Sequence, residues 1–191
     1  LGYAAALLLG KKIQFTEGRY SRQTHQDWDT LNNPNVLTLG TPTHFFDLIS
    51  WTKENNNSPK TTYSCIIGGA KVPKKLWDEC HDTLNIKTPS IGYGASEAAP
   101  GVTHLPPGLQ PSEDGEIGFP LPHVETSLTQ QGLQFSGPNL CLALVEEDEL
   151  YFPDRYLLPD IIKPRESDGV WVYQTRTNWF LNRGGEKFSM E

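Results

Sequence analysis

Within five consecutive positions, Tyr93-Gly94-Ala95-Ser96-Glu97, the chain places an aromatic ring, a residue without a side chain, a hydroxyl and a carboxylate. A ring can lie against a base, a glycine turns the backbone where a Cβ would clash, a hydroxyl can donate to a phosphate oxygen, and a carboxylate is a hard oxygen ligand for Mg²⁺. The set suits a nucleotide site. The same run also reads as an ordinary turn followed by a helix N-terminus, with Ser96 as cap and Glu97 in the first turn. Its place in the fold has to decide.

The preceding elements read as a parallel unit. An apolar β-rich run over 63–67 leads into the turn Gly68-Gly69-Ala70, Pro73 stands at a first helical position, 74–83 is helical, and 89–93 is a strand that ends at the run above. Strand, glycine turn, helix, strand, glycine turn is the βαβ alternation of a parallel sheet, whose ligands bind off the carboxyl ends of the strands. Both glycine turns fall there, which favours chemistry at Ser96 and Glu97. Further upstream, a buried helix over 1–9 capped by Gly10, a strand over 12–15, a helix over 25–31 and a strand over 35–39 are expected. Gly40-Thr41-Pro42-Thr43 then opens a helix over 44–52, with Thr41 or Thr43 as its cap.

Beyond about residue 111 the pattern changes to short alternating strands, at 116–119, 124–128, 133–136, 140–145 and 169–174. These predict an antiparallel lobe, a small distorted barrel. The expected fold is therefore α/β: a βαβ lobe with a parallel sheet over 1–112, an antiparallel β lobe over 113–176, and a further segment over 177–191.

The 191 residues are 37% hydrophobic, enough for one sizeable domain or two small lobes with a real core. A net charge of -7 argues against a nucleic-acid partner, because phosphate-backbone binding needs clustered cations. Lys71, Lys74 and Lys75 form the one small basic cluster and read as a solvated face. Cys65, Cys80 and Cys141 match no zinc spacing and no complete disulfide framework, which points to a reducing compartment and a cytoplasmic protein. Cys65, in an apolar run, reads as a buried small hydrophobe, and His44 is the one histidine placed near a pocket. The apolar opening over 1–9 is too short for a membrane span.

Four segments, in order, carry a family likeness: Gly68-Gly69-Ala70-Lys71-Val72-Pro73; Tyr93-Gly94-Ala95-Ser96-Glu97; Gly115-Glu116-Ile117-Gly118 with Pro120 and Pro122; and Thr175-Arg176-Thr177-Asn178 leading to Arg183-Gly184-Gly185-Glu186. Together they resemble the AMP-forming acyl-CoA synthetases, within the adenylate-forming superfamily. The resemblance implies a central fragment of the family's large domain. It implies a two-step reaction: a fatty or aryl carboxylic acid attacks the α-phosphate of ATP to give an acyl-adenylate and pyrophosphate, and the thiol of CoA then displaces AMP. Transfer to a carrier-protein thiol, and a non-catalytic adenylate-binding or scaffold role, are the alternatives.

Mapped onto this chain, the resemblance makes Gly68, Gly69 and Ala70 the turn lining the adenine and acyl pocket, and Tyr93 the adenine-stacking ring followed by the turn at Gly94. Ser96, where the family usually has Thr, keeps the hydroxyl for the α-phosphate, and Glu97 matches the Mg²⁺-associated carboxylate. Asp160 matches the ribose-binding aspartate, with Arg176 beside it, and Asn178 falls at the hinge. Leu158-Pro159 replaces the usual Thr-Gly before that aspartate, and Thr175 replaces a Gly. The family's phosphate loop would precede Leu1 and its lid lysine would follow Glu191, so the resemblance implies that this fragment would not adenylate an acid unaided. Phe45, Phe46, Ile91, Ala98 and Ala99 are candidate walls of an acyl pocket.

Overall fold

The computed structural model describes residues 6–13, 37–56, 64–99, 101–146, 148–177, 180–183 and 186–189. Its first unit is parallel. Strands β1 (Leu37–Gly40), β2 (Ser64–Ile67) and β3 (Thr88–Tyr93) lie side by side in register, Gly40 opposite Ile67 and Ile67 opposite Ile91, so their carboxyl ends are level. Helix α1 (Pro42–Asn55) buries Phe45, Leu48, Ile49 and Thr52, the one-face spacing of an amphipathic helix, and α2 (Lys74–Asp82) buries Leu76, Trp77 and Cys80. These side chains close over Cys65, Ile67 and Ile91 to form a first core. Cys65 is fully buried, as its apolar run predicts.

The helix starts show where local signals were right and where distant residues stepped in. Thr41 is the N-cap of α1, and its backbone N–H donates to Nδ1 of His44 at 3.1 Å. His44 thus closes the helix start. Pro73, expected at the first helical position, is instead the N-cap of α2, and the backbone N–H of Lys74 is taken up by Asp114 Oδ1 at 2.8 Å, forty residues along the chain. Lys71 and Lys75 are exposed and Lys74 pairs with Asp78, the solvated face that the sequence predicts.

The antiparallel strands continue the same sheet. β4 (Thr103–Leu105), β5 (Glu116–Pro120), β12 (Trp171–Arg176) and β11 (Asp160–Pro164) extend it in the order β1-β2-β3-β4-β5-β12-β11, so the boundary expected at 112/113 falls between two hydrogen-bonded neighbours, β4 and β5. A separate three-stranded sheet pairs β10 (Tyr156–Leu158), β7 (Gly132–Ser136) and β6 (Glu125–Thr129). Two hairpins complete the strands among the described residues: β8 (Leu144–Glu146) with β9 (Glu149–Tyr151), and β13 (Phe180–Arg183) with β14 (Glu186–Ser189).

The second core joins Ile117, Ile162 and Trp171 of the large sheet to Leu133, Phe135 and Leu158 of the small one, with Ala98 and Val102 from the segment after β3. The large sheet must curl around it. Four strand spacings separate β3 from β11, about 19 Å in a flat sheet, yet Tyr93 on β3 hydrogen-bonds Asp160 on β11. The curl is what brings the two halves of the site together.

Three expectations need correction. Residues 6–8 form one helical turn closed at Gly10 (φ 61), with Lys11 N donating to Ala6 O at 2.7 Å, but Leu7, Leu8 and Leu9 are exposed: no described element covers them. Residues 11–13 are not a strand, and the rest of that expected element, with the helix over 25–31, lies outside the described residues. The strand expected over 140–145 begins only at Leu144, because residues 139–141 are engaged elsewhere.

Candidate adenylate site

The carboxyl ends of β1, β2 and β3 present three glycines, Gly40, Gly68 and Gly92, on adjacent strands. Gly68 N donates to Gly40 O at 3.1 Å, and a Cβ on Gly68 would stand 2.7 Å from Gly92 O. Only glycine permits that approach. Gly69 (φ 80) and Ala70 then turn outward and are exposed at the strand ends.

From the end of β3 the chain does not continue into an ordinary helix. Gly94 and Ala95 lead to a single 3₁₀ turn, Ser96–Ala98, whose N-cap is Ala95 and which Ala99 ends in the left-handed region at φ 43. Ser96 is not a cap; it is exposed. Glu97 is half-buried beside it, and its carboxylate Oε1 accepts a hydrogen bond from Tyr156 Oη at 3.3 Å. The turn is held from behind. Cys141 N donates to Glu97 O at 2.8 Å, and Asn139 Nδ2 donates to Ala98 O and Gly101 O at 3.0 and 2.6 Å.

Asp160 is the hub of the other half. It stands directly opposite Arg176 in the β11–β12 register, and its exposure is 2%. Arg176 donates through Nε to Oδ1 at 2.5 Å and through a terminal nitrogen to Oδ2 at 2.9 Å, a two-pronged pair. Tyr93 Oη donates to Oδ2 at 2.8 Å, and its ring lies 6.3 Å from that of Tyr173. Burial pushes the Tyr93 phenol above its ordinary value and the Asp160 charge pushes it further, so it stays a protonated donor. Arg176 is held more firmly protonated by its hydrogen bonds to Asp160.

The structure thus brings Tyr93, Asp160 and Arg176 into one hydrogen-bonded group, with Ser96 and Glu97 three and four residues beyond Tyr93. Gly68, Gly69 and Ala70 lie at the carboxyl end of the neighbouring strand. Asn178 lies outside the described residues. Phe45 and Ile91 pack in the first core and Ala98 in the second, while Phe46 and Ala99 are exposed. Tyr156 and Asn139 were not anticipated. The alternation Tyr156, Leu158, Asp160, with Leu157 exposed between them, was a signal that could have put Tyr156 on the face of Asp160.

Among the described residues no three His, Cys, Asp or Glu side chains gather to hold a metal ion. A single carboxylate beside an exposed hydroxyl does fit Mg²⁺, which is commonly bound through one or two carboxylates, with phosphate oxygens and water as its other ligands. Two acceptor oxygens fixed by three donors at Asp160 leave room for a further hydroxyl, since an ionised carboxylate offers about four lone-pair positions.

Comparison with known proteins bears on the family and the fold. An acyl-CoA ligase of Penicillium expansum is 28% identical over 155 residues, which cover 76% of this chain and 31% of the relative, so the chain spans about a third of that protein's length. Among solved structures, the o-succinylbenzoate CoA synthetase of Bacillus subtilis in complex with its acyl-adenylate intermediate superposes with a TM-score of 0.72 at 17% identity, over 98% of this chain and 41% of that one. Coronafacic acid ligase from Pectobacterium brasiliense superposes with a TM-score of 0.69 at 19% identity, over 97% and 38%. At these identities the superpositions establish a shared fold. The family pattern described as AMP-binding enzyme matches residues 1–138, and with that match over most of its length the chain belongs to the AMP-binding enzyme family.

Proposed function

We propose that the strand-end surface around Tyr93 binds the adenosine part of an adenine nucleotide, and that the whole protein is an AMP-forming acid–thiol ligase. The acid attacks the α-phosphate of ATP, releasing pyrophosphate and giving an acyl-adenylate, and the thiol of CoA then takes the acyl group and releases AMP. The observation that carries this reading is the convergence of Tyr93 and Arg176 on the buried Asp160. With three of about four lone-pair positions taken, the carboxylate can accept one hydroxyl of a ribose diol. In this reading the ring of Tyr93, fixed at its hydroxyl end, offers a face to the adenine, and the glycines at 68 and 69 let the ring system approach the backbone. Ser96 donates to the α-phosphate. Glu97 would hold Mg²⁺, which supplies charge neutralisation to the phosphates when bound.

No protein nucleophile is required, because the acid itself attacks phosphorus and the site needs only to position it and to stabilise negative charge. The kinship with an acyl-CoA ligase and the fold shared with a CoA synthetase that binds an acyl-adenylate support this assignment. The test is acid-dependent exchange of labelled pyrophosphate into ATP by the whole protein over a panel of fatty and aryl acids, followed by CoA consumption with the acid that works. Exchange stimulated by at least one acid and weakened at least tenfold by Ser96→Ala and Glu97→Gln is expected, the order of loss for removing a transition-state donor. Absence of nucleotide binding by calorimetry, together with no exchange on any acid, would overturn it.

A further inference from the structure

The turn carrying Glu97 is held from the small sheet and its connections. Its backbone is pinned by Cys141 N on Glu97 O at 2.8 Å and by Asn139 Nδ2 on Ala98 O and Gly101 O. The pin is itself built. Gly137 adopts φ 137, where a Cβ would meet His123 O at 2.6 Å, and Leu140 N closes on Gly137 O at 3.0 Å. With the backbone fixed, the remaining freedom of Glu97 lies in its side-chain torsions, and among the described residues the Tyr156 hydroxyl on Oε1 at 3.3 Å restrains its carboxylate. Tyr156 is anchored in turn. Its ring meets Phe135 edge-on at 6.0 Å and it is paired in register with that residue on β7.

We propose that Tyr156 is a positioning residue for Glu97. By aiming the carboxylate, it sets the affinity of the site for a divalent cation from a strand that supplies no ligand itself. This rests on the nucleotide-binding reading above. A hydroxyl that holds a carboxylate in one rotamer spares the cation that ordering step, so removing the hydroxyl weakens the metal without touching the base or ribose contacts. Substituting Phe for Tyr156 deletes one oxygen and leaves the edge-on packing against Phe135 in place.

The measurement is Mn²⁺ affinity by electron paramagnetic resonance in the whole protein saturated with AMP, alongside AMP affinity without metal. Tyr156→Phe is expected to weaken Mn²⁺ about fivefold and to leave metal-free AMP affinity unchanged, the size of one hydrogen bond to a charged group of long geometry. In a Glu97→Gln background the same change should leave Mn²⁺ affinity unaltered, because the carboxylate it aims is gone. An unaltered Mn²⁺ affinity in Tyr156→Phe, or an equal loss in the Glu97→Gln background, would refute the positioning role. A wild-type protein that binds neither AMP nor Mn²⁺ would overturn the nucleotide reading itself, which separates the two failures.

Discussion

Two buried carboxylates, Glu116 and Asp160, each 2% exposed and each paired with an arginine, sit on β5 and β11 of one sheet and are solvated in opposite ways. Glu116 Oε1 accepts from Ser112 N at 2.7 Å, Ser112 Oγ at 2.6 Å, Glu113 N at 3.0 Å and Arg165 at 2.5 Å. Two of those donors are backbone amides of a loop three and four residues away, and Arg165 is locked further by Asp168. Asp160 receives no backbone donor among its described bonds: its three come from the long side chains of Tyr93 and Arg176. Backbone amides cannot leave without unfolding the loop, whereas a phenol and a guanidinium can shift by side-chain rotation alone. A carboxylate fixed by its own loop holds a fold together; one fixed by three side-chain donors has a lone-pair position left for a further hydroxyl.

The largest effect expected from this contrast is on stability. Glu116→Ala removes the acceptor of four donors, while Arg165 keeps Asp168 and Glu113, and the loss should cost about 2–3 kcal/mol and lower Tm by roughly 5–10 °C. Nucleotide affinity of the folded protein should not move. Burial alone would raise the Glu116 pKa, but the hydrogen bonds from Arg165, Ser112 and Glu113 outweigh it and hold the carboxyl below its ordinary value of 4.5. The folded value is the lower one, so the stabilisation is fully present above pH 4.5 and is lost as pH falls through the folded value. Chemical denaturation of wild type and variant should therefore show a constant gap between pH 6 and 8 that closes in acid. A gap that widens in acid would reverse the sign.

Asp160→Asn should do the converse. Asn keeps one acceptor oxygen for Arg176 and Tyr93, so the fold should lose only about 1–2 kcal/mol, while AMP affinity falls about tenfold to a hundredfold through the weakened acceptor. Calorimetric titration and thermal melts on the same preparation decide it. If Asp160→Asn unfolds the protein as readily as Glu116→Ala and leaves AMP binding alone, the contrast between the two carboxylates is false.

How far the sequence foretold this depends on the range over which each feature is written. Cys65 and Ile67, or Leu133 and Phe135, are legible as strands because alternate positions meet a core and the chain shows that alternation locally. Strand β4 was missed: three residues between Val102 and Pro106 carry too little pattern to read. Residues 140 and 141 have the composition of a strand, yet the bonds of Asn139 and Cys141 to the turn behind Glu97 keep them as loop. The change of pattern near residue 111 was legible, but the sheet that runs across it was not, since the β4–β5 ladder is a tertiary event, and the second core takes Ala98 and Val102 from before that point. The site follows the same rule. The run from Tyr93 to Glu97 is local and reads as candidate chemistry from its residue types, Asp160 and Arg176 are candidates only through the family likeness, and the bond between Tyr93 and Asp160 spans 67 residues that no period connects.

The smallest effect sharpens what Tyr93 contributes. Tyr93→Phe deletes one of three donors to Asp160 and leaves the two-pronged bond from Arg176, so the fold should lose about 1 kcal/mol. If the ring is a platform for adenine, AMP affinity should change by less than about threefold in Tyr93→Phe, whereas Tyr93→Ala, which removes the platform, should weaken it about tenfold or more. Equal losses in the two variants would move the contribution from the ring to the hydroxyl, making Tyr93 part of the ribose site. The pH dependence separates these again. Burial and the Asp160 charge raise the phenol's pKa above the ordinary value of 10.0, so it remains a donor at neutral and mildly alkaline pH. The stability difference between wild type and Tyr93→Phe should then stay flat from about pH 6 to 9, and fade only as pH rises past the ordinary phenol range. A difference that fades already near pH 8 would mean that the phenol is not held on Asp160 in solution, and the side-chain donors of this carboxylate would reduce to Arg176 alone.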